Sequence, residues 1–468
     1  MAFNSPSAAL LRRYDASGPR YTSYPTAPMW TESFDAADFE AHIRQSNAPD
    51  SPDYTGTLSL YTHLPFCEHR CLFCSCNVIV TRQRDQAERY LGYLFREIDQ
   101  LAALIAPDRP VVQLHWGGGT PTYLSSDQMR RLFQRIASRF SLAPEAEISL
   151  EIDPCVTTCE QLDTLRELGF NRVSLGVQDF NPQTQQAVER IQTVDETGAL
   201  ISHARALGFG GVNIDLIYGL PHQSVDTMDR TLSEVLALAP DRLALYNFAY
   251  VPWISPHQNK IPVESLPSGD VKFEILAHAV ARLTEAGYES IGMDHFARPQ
   301  DELAVARREG TLSRNFMGYT TKAGDGCDLY GMGVSAISGL SGAYAQNVKK
   351  LSAYYEAVDA GRLPAHRGCR LSDEDRLRRW TINRILCLGR LDFAEMARRF
   401  NVSASMHFAD ALAALAPMAE DGLLLLDSDG LTLTPLGRLF SRNVAMPFDA
   451  YLREQTLNAQ RPTFSRTL

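Results

Sequence analysis

From residue 57 the chain reads as alternating extended and helical segments. Leu58-Ser-Leu-Tyr-Thr-His-Leu64 is an extended run that places Tyr61 and His63 on one side. Behind it, Ala87, Tyr90, Leu91, Leu94, Phe95, Ile98 and Leu101 recur at helical spacing. Val111–Trp116 is the next strand, and further strands are expected at 147–153, 172–178, 211–217 and 242–249. Three predicted helices close on the same pattern: Leu168-Gly169-Phe170, Leu207-Gly208-Phe209 and Ala286-Gly287-Tyr288. Glycine just past a helix end suits a left-handed cap. Repeated strand–helix–strand units build a parallel sheet with right-handed crossovers, whose ligands gather at the carboxyl ends of the strands. Glu151, Asp153, Gln178, Asp179, Asp215 and Asn247 all fall there.

The pattern changes at both ends. Residues 1–50 are rich in tyrosine, arginine and turn formers, which suits a surface tail and a lid equally. After about residue 365, helical patterns over 372–399 and 406–421 lead to a strand, an Asp429-Gly430 turn and a strand. This looks like a small winged-helix type module, and its weak basic charge favours a structural or lid role over nucleic-acid binding. The expected division is an arm or lid over 1–50, a main α/β domain over 51–365 and a mainly helical C-terminal domain with a small β-hairpin over 366–468.

Composition narrows the class. With 468 residues, 45% of them hydrophobic, the chain reads as a soluble globular protein of one large domain with appendages, or of two or three domains. No apolar run is long enough to span a bilayer, and the N-terminus lacks a secretion signal. The nine cysteines are an odd count, and four crowd into residues 67–76, which is not a disulfide framework and points to the cytoplasm. A net charge of −10 argues against general nucleic-acid binding and leaves an anionic small substrate open.

The chemistry concentrates in Cys67-x3-Cys71-x2-Cys74, with Phe73 before the last cysteine. Three thiolates can hold three corners of a cubane iron–sulfur cluster. The fourth iron then keeps an open position for a ligand. Zinc is the competing reading, but its usual paired C-x2-C spacing is not repeated at Cys155 and Cys159. Gly117-Gly118-Gly119-Thr120 follows a strand and lets backbone approach a ligand closely. Glu151 suits a ribose hydroxyl or an ammonium, or is an ordinary strand-end acid. Arg190 suits bidentate carboxylate binding, or a helix surface. Asp215, in an apolar strand, needs a partner: a ligand or an arginine. His63 is either structural or a donor to a ligand or a cluster sulfur, which would tune the cluster.

Together these segments resemble the oxygen-independent coproporphyrinogen III oxidases of the radical S-adenosylmethionine (SAM) superfamily. The resemblance is carried by Gly18–Pro25, Cys67–Asn77, Trp116–Thr122, Gly176–Phe180, Asp215–Pro221, Gly292–Ala297 and Gly331–Ile337. It implies a partial (β/α)6 barrel with an N-terminal arm and a mainly helical C-terminal domain. It implies a [4Fe–4S] cluster on Cys67, Cys71 and Cys74, with Cys76 not a ligand. One SAM on the cluster would touch Tyr61, Gly118, Glu151 and Ile337. A second, as the family holds, would touch Phe73, Gly119, Thr120, Gln178, Arg190, Asp215 and Ala249. His63 is the residue assigned a catalytic role. The implied reaction turns two propionates of coproporphyrinogen III into vinyl groups, in a monomer served by a donor such as flavodoxin or ferredoxin and by an unspecified electron acceptor. Arg20 is a candidate grip for a propionate. Two positions depart from the family pattern: Ser75, between the last two cysteines, and Met317, where relatives carry glutamine. The rival readings are a haem chaperone of the same superfamily, another radical SAM enzyme acting on a tetrapyrrole, and a zinc-stabilised barrel. The Tyr-Thr-Ser-Tyr-Pro arm and the lack of an Asn-x-x-Tyr-Trp segment near Met317 favour the oxidase over the chaperone.

Overall fold

The computed structural model describes residues 7–324, 326–452, 464, 466 and 467, so the outer ends of the expected arm and C-terminal domain lie outside it. Twelve strands form one sheet, numbered here in chain order. They are β1 (Thr57–Leu64), β2 (Val111–Gly118), β3 (Leu142–Ile152), β4 (Arg172–Gln178), β5 (Gly211–Tyr218), β6 (Arg242–Asn247), β7 (Glu289–Gly292), β8 (His295–Ala297), β9 (Cys327–Met332), β10 (Ile337–Gly339), β11 (Ala343–Asn347) and β12 (Ala365–Arg370). Strands β1 to β6 lie side by side in chain order, each parallel to the next. Helices Arg84–Ala102, Ser126–Ala137, Cys159–Glu167, Val194–Ala206 and Val225–Leu238 connect them. This is the expected partial barrel, left open because the sheet ends at β12 and β7.

Alternation within the strands decides what faces where. In β4 and β5, Val173, Leu175, Val212 and Ile214 join the apolar core. Arg172, Ser174, Asn213 and Asp215 instead line a cavity inside the barrel. The connecting helices begin at sequence-encoded caps, with reciprocal Ser125–Gln128, Thr158–Gln161 and Thr193–Glu196 hydrogen bonds. Gly169, Gly208 and Gly287 take the left-handed conformation read for them, with φ of 94°, 81° and 86°.

The sheet is wider than the sequence pattern implied. β9 runs parallel to β1 on its outer side, followed by antiparallel β10, β11 and β12. β8 and β7 extend the far edge beyond β6. These strands are three to six residues long, too short for a readable period. The last of them, Ala365–Arg370, straddles the division expected at residue 365.

The C-terminal segment also differs from a pair of long helices. The stretch 372–399 breaks at Gly389 (φ 65°) into helices Asp373–Leu388 and Phe393–Phe400. Between them, strand Arg390–Asp392 pairs with the hairpin strand Gly430–Leu433. The 406–421 stretch becomes three short helices, Ala404–His407, Ala409–Ala414 and Ala416–Glu420. The hairpin itself is present, and Asp427 accepts the Asp429 and Gly430 amides at its turn.

The N-terminal segment is no surface tail. Leu11, Tyr21, Tyr24, Phe39 and Ile43 belong to the main core. The buried Arg442 guanidinium donates to the carbonyls of Gly18 and Pro19, at 2.5 and 3.2 Å, and Tyr21 Oη donates to Asp449. Thr31 bridges to Gly368 on β12, so the segment spans from the C-terminal helices to the edge of the main sheet.

Candidate active site

Strand β1 ends in Leu64, and the chain turns through Pro65 into the cysteine loop. The loop is closed by a two-stranded parallel ladder, Phe66–Cys67 on Ile79–Val80. The Cys74 amide donates to the Cys71 carbonyl and the Leu72 amide to the Val188 carbonyl. From outside, the loop is held by the segment after β6: His257 Nε2 lies 2.7 Å from the Cys74 carbonyl and Ser255 Oγ 3.0 Å from Ser75 Oγ. Cys71 is buried, Cys67 and Cys74 are partly buried, and Cys76 is exposed.

Cys67, Cys71 and Cys74 act on one another's ionisation, so their sulfurs share one small region. Burial pushes Cys67 up to about 11 and raises Cys71. The Cys76 thiol, which donates to it, draws Cys74 down. Among the described residues, no three His, Cys, Asp or Glu side chains are gathered tightly enough for a single metal ion.

Beside the loop lies a cavity of about 410 Å³. Tyr61, His63, Gly118, Glu151 and Ile337 all line it, together with Cys76, His115, Met317 and Lys349. The four residues expected around the cluster-bound SAM therefore meet in one space. Glu151 is half-exposed in it, accepts the Gly118 amide at 3.2 Å and lies 3.8 Å from His115 Nε2. Burial works to raise its pKa, but the His115 ring and the Gly118 amide outweigh that and hold it below the ordinary value. At Gly119 backbone passes so close that a Cβ would stand 2.7 Å from the Phe66 carbonyl oxygen. Both His63 ring nitrogens are occupied, Nδ1 by Tyr61 Oη and Nε2 by the Asn77 carbonyl, each at 3.0 Å. Burial holds the ring below its usual pKa, hence neutral. The ring thus braces Tyr61 and Asn77, and neither nitrogen is left to donate to a cluster sulfur.

The other expected residues lie outside that cavity: Phe73, Gly119, Thr120, Arg190 and Ala249 are in or beside the cysteine loop, and Asp215 lines the barrel lumen. Thr120 Oγ1 lies 3.5 Å from Cys67 Sγ. Phe73 packs against the apolar cluster of Leu72, Val188, Leu220 and Phe248. Gln258 ties the Phe73 and Ala249 carbonyls together. Gln178 ends β4 with a left-handed φ of 68°. Arg190 is buried and not on a helix surface: it pairs with Asp153 at 2.7 Å, donates to the Gly176 carbonyl at 2.8 Å and approaches Cys71 Sγ at 3.6 Å. Arg20 is already paired with Asp294 over the Tyr246 ring, so it is not a free grip. His115 was not singled out from the sequence; its place two residues beyond inward-facing Gln113 on β2 was the available signal.

Asp215 lines the lumen and pairs with no arginine among the described residues. Asn213 Nδ2 and Ser174 Oγ donate to it at 2.8 and 3.2 Å, and burial pushes its pKa up to about 7. An ordinary Asp titrates near about 3.9. Between those values the folded protein keeps a proton that the unfolded chain has lost. The stability tied to Asp215 is therefore full below the lower value and is lost as pH rises through the upper one. Asp215→Asn is expected to flatten this slope: between pH about 5 and about 8 the cofactor-free variant loses less of its melting temperature than the parent, as paired thermal melts would read.

Residues 61–235 match the Radical SAM superfamily, and residues 371–440 match the HemN C-terminal domain. A protein of Synechocystis sp. named oxygen-independent coproporphyrinogen III oxidase is 45% identical over 466 residues, 99% of this chain and 98% of the relative. The Escherichia coli protein of that name is 48% identical, covering 98% of each chain. The solved structure of coproporphyrinogen III oxidase (HemN) from Escherichia coli, described as a radical SAM enzyme, matches with a TM-score of 0.88 and 47% identity over 92% of this chain and 97% of that one. Membership in the Radical SAM superfamily implies a 4Fe–4S cluster and SAM.

Proposed function

The chain belongs to the oxygen-independent coproporphyrinogen III oxidase family, and we propose that it converts coproporphyrinogen III to protoporphyrinogen IX by oxidative decarboxylation of two propionate side chains. The observation that carries the reading is the single cavity beside the cysteine loop that gathers Tyr61, Gly118, Glu151 and Ile337. Cys67, Cys71 and Cys74 hold the cluster, and Cys76 stays outside the ligand set. Bound there, the cluster and SAM supply reductive cleavage of the sulfonium and the hydrogen-atom abstraction that opens a propionate to loss of carbon dioxide and an electron.

The chain's own residues then bind, orient and shield. Glu151, ionised and fixed by the Gly118 amide, takes a ribose hydroxyl or ammonium of the cofactor. His63, neutral, keeps Tyr61 turned into the cavity. Phe73, Gly119, Thr120, Gln178, Arg190, Asp215 and Ala249 would attend a second SAM, with Met317 supplying only a weak thioether acceptor where an amide is usual. In this reading residues 1–50 act as an arm over the domain of 51–365, packed against the C-terminal domain of 366–468, and the two together exclude water from the reacting centre. A one-electron donor of flavodoxin or ferredoxin type and a separate acceptor complete the cycle. The nine free thiols suit a reducing cytoplasm, where the enzyme works as a monomer. Among the described residues no helix is long and apolar enough to cross a membrane.

Anaerobic incubation with SAM, a reductant and coproporphyrinogen III tests the reading. The expected product is lighter than the substrate by two formic-acid equivalents. Deoxyadenosine formed without that product would overturn the substrate assignment.

A further inference from the structure

One buried carboxylate lies outside the cavity yet is tied to its wall. Glu97, on helix Arg84–Ala102, is only 2% exposed and forms no ion pair among the described residues. Its Oε2 accepts the Gly333 amide at 2.7 Å and Tyr354 Oη at 2.6 Å. Its Oε1 accepts Asn347 Nδ2 at 2.8 Å, and the same amide nitrogen donates to the Gly333 carbonyl at 2.8 Å. Two turns earlier on the helix, Tyr90 Oη donates to the His63 carbonyl at 2.7 Å and accepts the Val334 amide at 3.1 Å.

These bonds converge on the turn between β9 and β10. Gly333 has a φ of 98°, and a Cβ there would meet Tyr90 Oη at 2.3 Å. The Ala336 amide donates back to the Gly333 carbonyl, and the Asn347 amide donates to the Ala336 carbonyl. Ser335, Ala336 and Ile337, which follow directly, line the 410 Å³ cavity. Burying a carboxylate without a cation is costly unless its oxygens are filled by donors. Three donors fill this one, and two of them belong to the turn and to the strand behind it. A plain apolar side chain would pack this core more cheaply, so the acid is matched to the backbone it holds.

We propose that Glu97 is a positioning residue for SAM: its carboxylate, through the Gly333 amide and Asn347, fixes the backbone at Ala336–Ile337 against Tyr61 and His63. This rests on the reading of the cavity as the SAM site. Glutamine at 97 would put an NH2 group against a donor, either Asn347 or the Gly333 and Tyr354 pair, and would release the turn while keeping the volume.

The test is SAM titration of the reduced, reconstituted enzyme, followed by the change in the cluster's electron paramagnetic resonance signal and normalised to cluster content. Glu97→Gln is expected to raise the SAM dissociation constant about tenfold, the lower range for supporting-shell substitutions, with iron content and kcat at saturating SAM changed far less. Asn347→Ala, which removes the second tie, is expected to do the same. Tyr354→Phe leaves the carboxylate on Gly333 and is expected to lower the melting temperature without moving SAM affinity. A merely structural Glu97 would show the reverse: a lower melting temperature and affinity per cluster within twofold of the parent, which overturns the proposal. If neither Glu97→Gln nor Asn347→Ala takes up a cluster, amide hydrogen exchange at residues 333–337 in the cofactor-free protein decides: faster than the parent supports it, parent-like overturns it. A parent enzyme whose signal ignores SAM overturns the reading of the cavity and this inference together, whereas a responsive parent with unaltered variants overturns the inference alone.

Discussion

Serine in place of Cys67, Cys71 or Cys74 is expected to remove the cluster and abolish product formation, while Cys76→Ser keeps both. The four sulfurs are close in sequence but not in setting. Cys67 and Cys71 sit in the loop's folded wall, held by the ladder to Ile79–Val80 and by the Leu72 amide to Val188. Cys76 lies exposed at the cavity and donates its proton toward Cys74. A hydroxyl can replace that donation, but it cannot replace a thiolate as a soft ligand to iron. Iron and sulfide analysis of anaerobically reconstituted variants, followed by product mass, checks the prediction. If Cys76→Ser loses its cluster while one of the other three retains it, the ligand assignment is wrong.

Glu151→Gln should carry the largest effect on the cofactor without loss of the cluster. The carboxylate faces the cavity half-exposed, fixed by the Gly118 amide and the nearby His115 ring. A hydrogen bond to a charged group contributes about 1.5–3 kcal/mol, equivalent to roughly a ten- to hundredfold loss in affinity. The variant should therefore need that much more SAM to reach half-maximal rate, while cluster content stays at the parent level. Turnover at saturating SAM should fall less than kcat/KM does. An unaltered SAM requirement would show that Glu151 is the ordinary strand-end acid it resembles in isolation.

Much of this site was readable because its parts are local. Three cysteines within eight residues, a glycine run at the end of β2 and an acid at the end of β3 declare themselves through spacing alone. The left-handed caps at Gly169, Gly208 and Gly287 were legible for the same reason. What escaped was partner choice across the fold. Arg190 looks like a surface residue until Asp153, 37 positions earlier, is brought to 2.7 Å. Asp215 was expected to need an arginine or a ligand; no arginine among the described residues reaches it, and Ser174 and Asn213 on β4 and β5 donate to it. Strands β9 to β12 were invisible because three to six residues carry too little period. Glu97 shares a helix face with Tyr90, Leu94 and Leu101, but nothing near it in the sequence announces that Gly333 will lie against it.

The central claim is that three cysteines leave one iron of the cluster without a protein sulfur, available to SAM. Mössbauer spectroscopy of enzyme reconstituted with iron-57 addresses it directly. The account predicts one iron site of the four with a distinct isomer shift that moves when SAM is added. Four equivalent sites that do not respond to SAM would contradict it.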